Sequence, residues 1–144
     1  MTRIDFYILE RHSGDGRLDF ACRLADKAVG QNHEVLINTA DPGESARIDD
    51  LLWTFAQGSF LPHRRLADTS LADEGEPVLI GCGEDPPEGR ADLLINLAAD
   101  VPEFFSRFVR VAELVGGSEE NKAAGRERFR YYRDRGYELQ THRV

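Results

Sequence analysis

The sequence predicts an α/β fold: a three-layer sandwich around a mostly parallel, roughly five-stranded sheet. Two observations predict it. Strand-like and helix-like segments run in the order β-α-β-α-β-β-α-α along the chain. The strand candidates are also near-continuous apolar runs, the pattern of strands covered on both faces. At 144 residues the chain is sized for a single domain, 1–144, and no linker or internal repeat divides it.

The first strand is IDFYILE, Ile4–Glu10, rich in aromatic and aliphatic residues. Two glycines in HSGDG end it, and a helix follows over Arg17–Gln31. There Leu18, Ala21, Cys22, Ala25 and Val29 recur at the spacing that lines one helix face. The apolar run of His33–Thr39 is a second buried strand, and Ser45–Ala56 a second helix whose Ile48, Leu51, Leu52 and Phe55 share a face. The stretch GSFLPHRR reads as a short extended segment in which Pro62 disfavours a central strand position. After a polar acidic loop, Pro77–Gly83 and Asp92–Leu97 are strands. Pro102–Val115 is expected to be a helix with its proline near the start, where a missing N–H costs least. A last helix begins at Ser118, with two glutamates in its first turn, and Gly136 stops it.

Composition narrows the function. The chain is 41% hydrophobic and 31% charged, with a net charge of -8, as in an ordinary soluble domain. It has no run of 18 apolar residues, and its first residues do not form a secretion signal, so a cytoplasmic location is expected. Cys22 and Cys82 have neither disulfide-framework nor metal-ligand spacing and read as small buried hydrophobes. The order of elements is Rossmann-like, but without a nucleotide site: ERHSGDGR follows the first strand where G-x-G-x-x-G is required. In GCGEDPP, acids and prolines stand where a phosphate-binding helix would begin. His12, His33, His63 and His142 show no ligand spacing, and G-x-S-x-G is absent. Asp49, Asp50 and the acidic run Asp73–Glu76 read as solvated surface. The expectation is a protein without catalytic residues, metal or cofactor.

Two stretches ask for more than a bland surface. In LLWTFAQGSFLPH, Trp53 cannot share the core-facing stripe of Leu51, Leu52 and Phe55. It either seals the edge of the core or anchors a protein partner. The other stretch is NKAAGRERFRYYRDRGYEL. From Lys122 to Val144 there are 7 basic and 3 acidic residues, a balance of +4 in a chain of net charge -8. On a helix, Lys122, Arg126, Phe129 and Arg133 form one stripe, bordered by Arg130 and followed by Tyr132. Such a stripe is either a solvated basic face or a site for an acidic ligand with an apolar tip, most simply a chain terminus. Gly125 within this helix costs about 1 kcal/mol relative to alanine.

The combination resembles a known family. FYIL, LLWTF…GSFLPH, PVLI, DLLINL and RERFRYYRDRGYEL stand in the order and spacing of the chi subunits of bacterial DNA polymerase III holoenzyme, over essentially the whole length. The resemblance implies a non-enzymatic accessory subunit. It would pair with the psi subunit, which tethers it to the clamp loader. It would also bind the acidic, Phe-ended C-terminal tail of single-stranded DNA-binding protein. By the family's pattern, Lys122 and Arg126 meet the tail's acidic groups, and Val115, Phe129 and Tyr132 shape a pocket for its Phe, with Arg133 close by. Trp53 and Phe60 fall on the psi-facing segment. The alternative is a direct single-stranded nucleic-acid contact through Arg126, Arg128, Arg130, Arg133 and Arg135.

Overall fold

The structure is a computed structural model that describes residues 2–9, 16–55, 61–68 and 75–144. Among these residues seven strands form one sheet: β1 (Arg3–Ile8), β2 (Val35–Asn38), β3 (His63–Arg65), β4 (Val78–Gly81), β5 (Leu93–Asn96), β6 (Arg110–Val115) and β7 (Glu138–Arg143). Their spatial order is β3-β4-β2-β5-β6-β1-β7, and every pairing is parallel. Helices α1 (Gly16–Gly30) and α2 (Pro42–Thr54) cover one face and α3 (Glu119–Asp134) the other. No helix among the described residues is long and apolar enough to cross a membrane.

The expected α/β class holds, with seven strands in place of roughly five. β2, β4 and β5 are buried along their whole length, as their unbroken apolar runs require. α2 starts three residues earlier than expected because Asp41 caps it, its Oδ1 accepting from the Glu44 N–H at 2.8 Å, and Pro42 occupies the first turn. On α1, Leu18, Ala21, Cys22 and Ala25 are buried, and burial pushes the Cys22 thiol up to about 12. Cys82 is only half-buried, so the expectation of two buried cysteines holds for Cys22 alone.

The helix expected over Pro102–Val115 is a correction. Phe105–Arg107 is a single 3-10 turn, and Arg110–Val115 is the strand β6. β6 fills the gap between β5 and β1, pairing with both. A helix there would leave the facing main-chain groups of two buried strands without partners. The Phe-rich part keeps its apolar role: Phe104, Phe105 and Phe108 are buried in the cluster beneath α3.

Placing Glu113 on a central strand buries a carboxylate completely. Its Oε1 accepts from Arg128 Nε at 2.7 Å and its Oε2 from the Tyr132 hydroxyl at 2.6 Å, both from α3. Asn96 Nδ2 donates to both oxygens at 3.0 and 3.1 Å. Asn96 in turn accepts from Asn38 Nδ2 at 3.0 Å, so a polar row crosses β2, β5 and β6. Burial pushes the Glu113 carboxyl up and the Arg128 guanidinium opposes it; burial and the neighbouring Glu113 raise the Tyr132 phenol. At the edge, Asp5 ties three strands together. It accepts from Arg110 of β6 at 2.9 Å and lies 2.9 Å from His142 Nε2 of β7. Burial works against its charge, yet the hydrogen bonds of His142 and Arg110 hold its carboxyl below the usual value.

Replacing Arg128 with leucine leaves the Glu113 charge buried and uncompensated, and should cost about 3–5 kcal/mol. Adding Glu113→Gln to that variant should recover a large part of the loss in chemical denaturation, because the two effects are one interaction. Asp5 has a depressed folded-state pKa, so its contribution is present above its ordinary 3.8 and is lost as pH falls through the lower folded value. Stability measured from pH 5 downward should therefore fall less steeply in Asp5→Asn than in the parent chain.

Candidate functional site

The basic stripe opens onto a cavity of about 270 Å³ between α3 and the β7 edge of the sheet. Its apolar lining is Phe6 and Ile8 of β1, Val115 of β6 and Phe129 of α3. Lys122 and Arg126 line it from the first two turns of α3, and Thr141 and Arg143 from β7. Ser118 sets the start of α3 by accepting from the Asn121 N–H at 3.1 Å, and Gly136 turns the chain after it with φ +80°. Arg128 and Tyr132 fix the rotation of the helix through Glu113. With that face inward, Phe129 lies against Phe6, ring centres 5.3 Å apart, and Arg126 is exposed beside it.

Four of the expected tail-binding residues, Lys122, Arg126, Phe129 and Val115, thus surround one cavity. Two others do not line it. Tyr132 is fully buried, with its hydroxyl committed to Glu113. Arg133 is exposed and pairs with Asp134 at 3.3 Å. The opposite wall of the site, Thr141 and Arg143, was missed because no strand was assigned there. The signal was the alternation of Tyr137, Leu139 and Thr141 with polar residues.

The arginines proposed for a nucleic-acid contact divide in the structure. Arg128 is buried and bonded to Glu113 and the Ala99 carbonyl, so it offers nothing to a phosphate. Arg130 pairs with Glu127 at 3.0 Å, and the Arg135 guanidinium lies 3.5 Å over the Tyr131 ring. Arg126 is the member of this set that lines the cavity.

Trp53 lies at the other edge of the sheet, near the end of α2, and is 52% exposed. Its ring centre stands 4.4 Å from that of His63. The His63 ring is pinned by the Leu61 carbonyl at 2.7 Å and the Asp49 carboxylate at 3.0 Å. The indole therefore rests on a fixed plate with much of its surface to solvent, as the spacing of α2 predicts. Phe60 lies outside the described residues.

A further cavity of about 280 Å³ lies beyond the carboxyl ends of β2, β4 and β5, where α/β sheets commonly bind ligands. Asp85, Asp100 and Glu103 line it together with Asn38 and Gly83. The Gly83 N–H is already donated to Asn38 Oδ1 at 3.0 Å. Such a lining repels phosphate, in keeping with the absence of a phosphate-binding motif. Among the described residues no group of three or more His, Cys, Asp or Glu could hold a metal.

Gly125 explains its own presence in α3. A Cβ there would lie 2.9 Å from Cγ2 and 3.0 Å from Cγ1 of Val115, and that β-branched side chain cannot swing away freely. Gly125→Ala should therefore be a net loss of about 1 kcal/mol: overpacking of about 1–3 kcal/mol outweighs a gain in helix propensity of about 1 kcal/mol. Combined with Val115→Ala, the same change should become neutral or stabilising relative to Val115→Ala alone in thermal denaturation.

Residues 1–140 match the family model described as DNA polymerase III chi subunit, HolC. A protein of Pseudomonas aeruginosa named DNA polymerase III subunit chi is 44% identical, over 100% of this chain and 98% of that one. The protein of the same name from Escherichia coli is 30% identical over 98% of this chain and 97% of its own, and that from Haemophilus influenzae 29% over 96% and 95%. The crystal structure of T4 UvsW superposes with a TM-score of 0.69 at 10% identity; the match covers 99% of this chain and 41% of that one, a likeness of fold alone. The chain belongs to the family of DNA polymerase III chi subunits.

Proposed function

We propose that the chain is a non-catalytic adaptor of the replication machinery, working in the cytoplasm. In this reading it captures the acidic C-terminal tail of single-stranded DNA-binding protein and is joined through the psi subunit to the clamp loader of DNA polymerase III. One observation carries the tail capture: a single cavity of about 270 Å³ brings the apolar side chains of Phe6, Ile8, Val115 and Phe129 together with Lys122 and Arg126. The terminal Phe of the tail fills the space between Val115, Phe6 and Phe129. Its carboxylate and the preceding aspartates meet Lys122 and Arg126, where charge-assisted hydrogen bonds are the strong ones.

The exposed face of Trp53 supports the second half of the reading, since a rigid, half-exposed indole is the kind of residue that anchors an interface. It is the surface assigned to psi. The two surfaces lie toward opposite edges of a seven-stranded sheet. At about 4.8 Å per strand those edges are roughly 29 Å apart, so one partner does not obstruct the other. Because several tails are presented by an oligomeric single-strand binder, each contact can be individually weak.

A labelled peptide ending in Asp-Asp-Asp-Ile-Pro-Phe should bind saturably in fluorescence anisotropy, and more weakly as salt rises. Arg126→Ala should cost about 1.5–3 kcal/mol, the worth of a hydrogen bond to a charged group. A peptide lacking the terminal Phe should bind at least tenfold more weakly. Unchanged affinity in both controls would remove the cavity from the reading.

A further inference from the structure

The strand that walls the cavity has a side the sheet does not use. Among the described residues β7 is the last strand of the sheet and pairs with β1 alone. The direction of its main-chain groups follows from three hydrogen bonds. The Val144 N–H donates to the Ile8 carbonyl at 3.1 Å, whereas the N–H groups of Arg3 and Leu9 donate away from β7, to the carbonyls of Val109 and Val115. In a parallel ladder each residue turns its N–H and C=O to the same neighbour, and successive residues turn opposite ways. Ile4, Phe6 and Ile8 therefore bond to β7, where Glu138, Gln140 and His142 return those bonds. Leu139 and Thr141 turn their N–H and C=O outward. Among the described residues no strand lies there to receive them.

The same register puts their side chains on the α3 side of the sheet, Leu139 opposite Ile4 and Thr141 opposite Phe6. Thr141 thus lines the cavity with its side chain and faces solvent with its main chain. Lys122, Arg126 and Arg143 line this opening too, so the chain that approaches it is favoured if acidic.

We propose that an acidic peptide whose apolar carboxyl-terminal residue fills the cavity continues from it as an eighth strand, its main chain paired with the outward N–H and C=O groups of Leu139 and Thr141. The inference rests on the tail-capture reading and adds how the tail is held. Strand addition supplies affinity through the main chain and leaves selectivity to the pocket and the charges. A penultimate proline has no N–H to give, so the pairing falls to the residues before it.

Amide hydrogen exchange on the full chain tests this, read by NMR with and without a saturating peptide ending in Asp-Asp-Asp-Ile-Pro-Phe. In the free protein the amides of Gln140 and His142 should be protected and those of Leu139 and Thr141 should exchange fast. With peptide, Leu139 and Thr141 should slow at least tenfold while Gln140 and His142 change much less. Methylating one peptide nitrogen at a time should lower affinity at alternate positions only, by fivefold or more. Saturable binding that leaves Leu139 and Thr141 fast, or that slows all four amides alike, overturns the added strand and leaves tail capture standing. A peptide that does not bind at all overturns both.

Discussion

One buried carboxylate governs how this molecule is assembled. Glu113 lies on a central strand with none of its surface exposed. A charge in that position must be met by an opposite charge and by enough donors to saturate its oxygens. Asn96 supplies one donor from the neighbouring strand, and the cation comes from α3, as Arg128. The helix can then sit in essentially one rotation. Tyr132, four residues on, falls on the other carboxylate oxygen. Once that face is turned inward, residues 122, 126 and 129 must look past the edge of the sheet. The exposed basic stripe is thus oriented by an interaction buried in the core.

The row containing Glu113 runs further. Asn38, Asn96, Glu113, Phe6 and Thr141 stand opposite one another in register across five strands. On the β2 side of Phe6 the row is polar and sealed by hydrogen bonds. On the other side it is the lining of the cavity. The space there depends on close approach at one point, where Gly125 passes Val115 with no room for a methyl group. A glycine that weakens the helix as an isolated element thereby lets it pack close. The local cost of about 1 kcal/mol is the consequence of a tertiary contact, which propensity alone cannot foresee.

The fold was legible where burial on both faces made strands uniformly apolar, as in β2, β4 and β5. β6 was misread because Arg110 and Glu113 interrupt its apolar residues at a spacing that also suits a helix. β7 was missed because it is a largely exposed edge directly after a helix, where the short alternation of Tyr137, Leu139 and Thr141 with polar residues is a weak signal. The site was legible in angle but not in depth. Lys122, Arg126, Phe129 and Arg133 do share one helix face, yet Arg133 lies seven residues beyond Arg126, about 10 Å further along the axis. Tyr132 is turned from Phe129 by about 60°, enough to carry it from the cavity wall into the core. Spacing gives directions around a helix; only the buried partner decides which direction is inward.

Architecture by itself decides little about function. In open parallel sheets the crevice beyond the carboxyl ends of the strands is the usual place for a ligand. Here that crevice is lined by Asp85, Asp100 and Glu103, and its Gly83 amide is turned to Asn38. The positive charge has moved to α3 and the end of β7, and the apolar space with it. An edge strand left open is ordinarily a hazard, because any extended chain can pair with it. Under the proposed strand addition, Lys122, Arg126 and Arg143 beside that edge favour acidic chains, and the cavity next to it favours those that end in a suitable side chain. In that proposal the physics that makes an edge dangerous also makes it selective, through the charge and the shape of the space beside it.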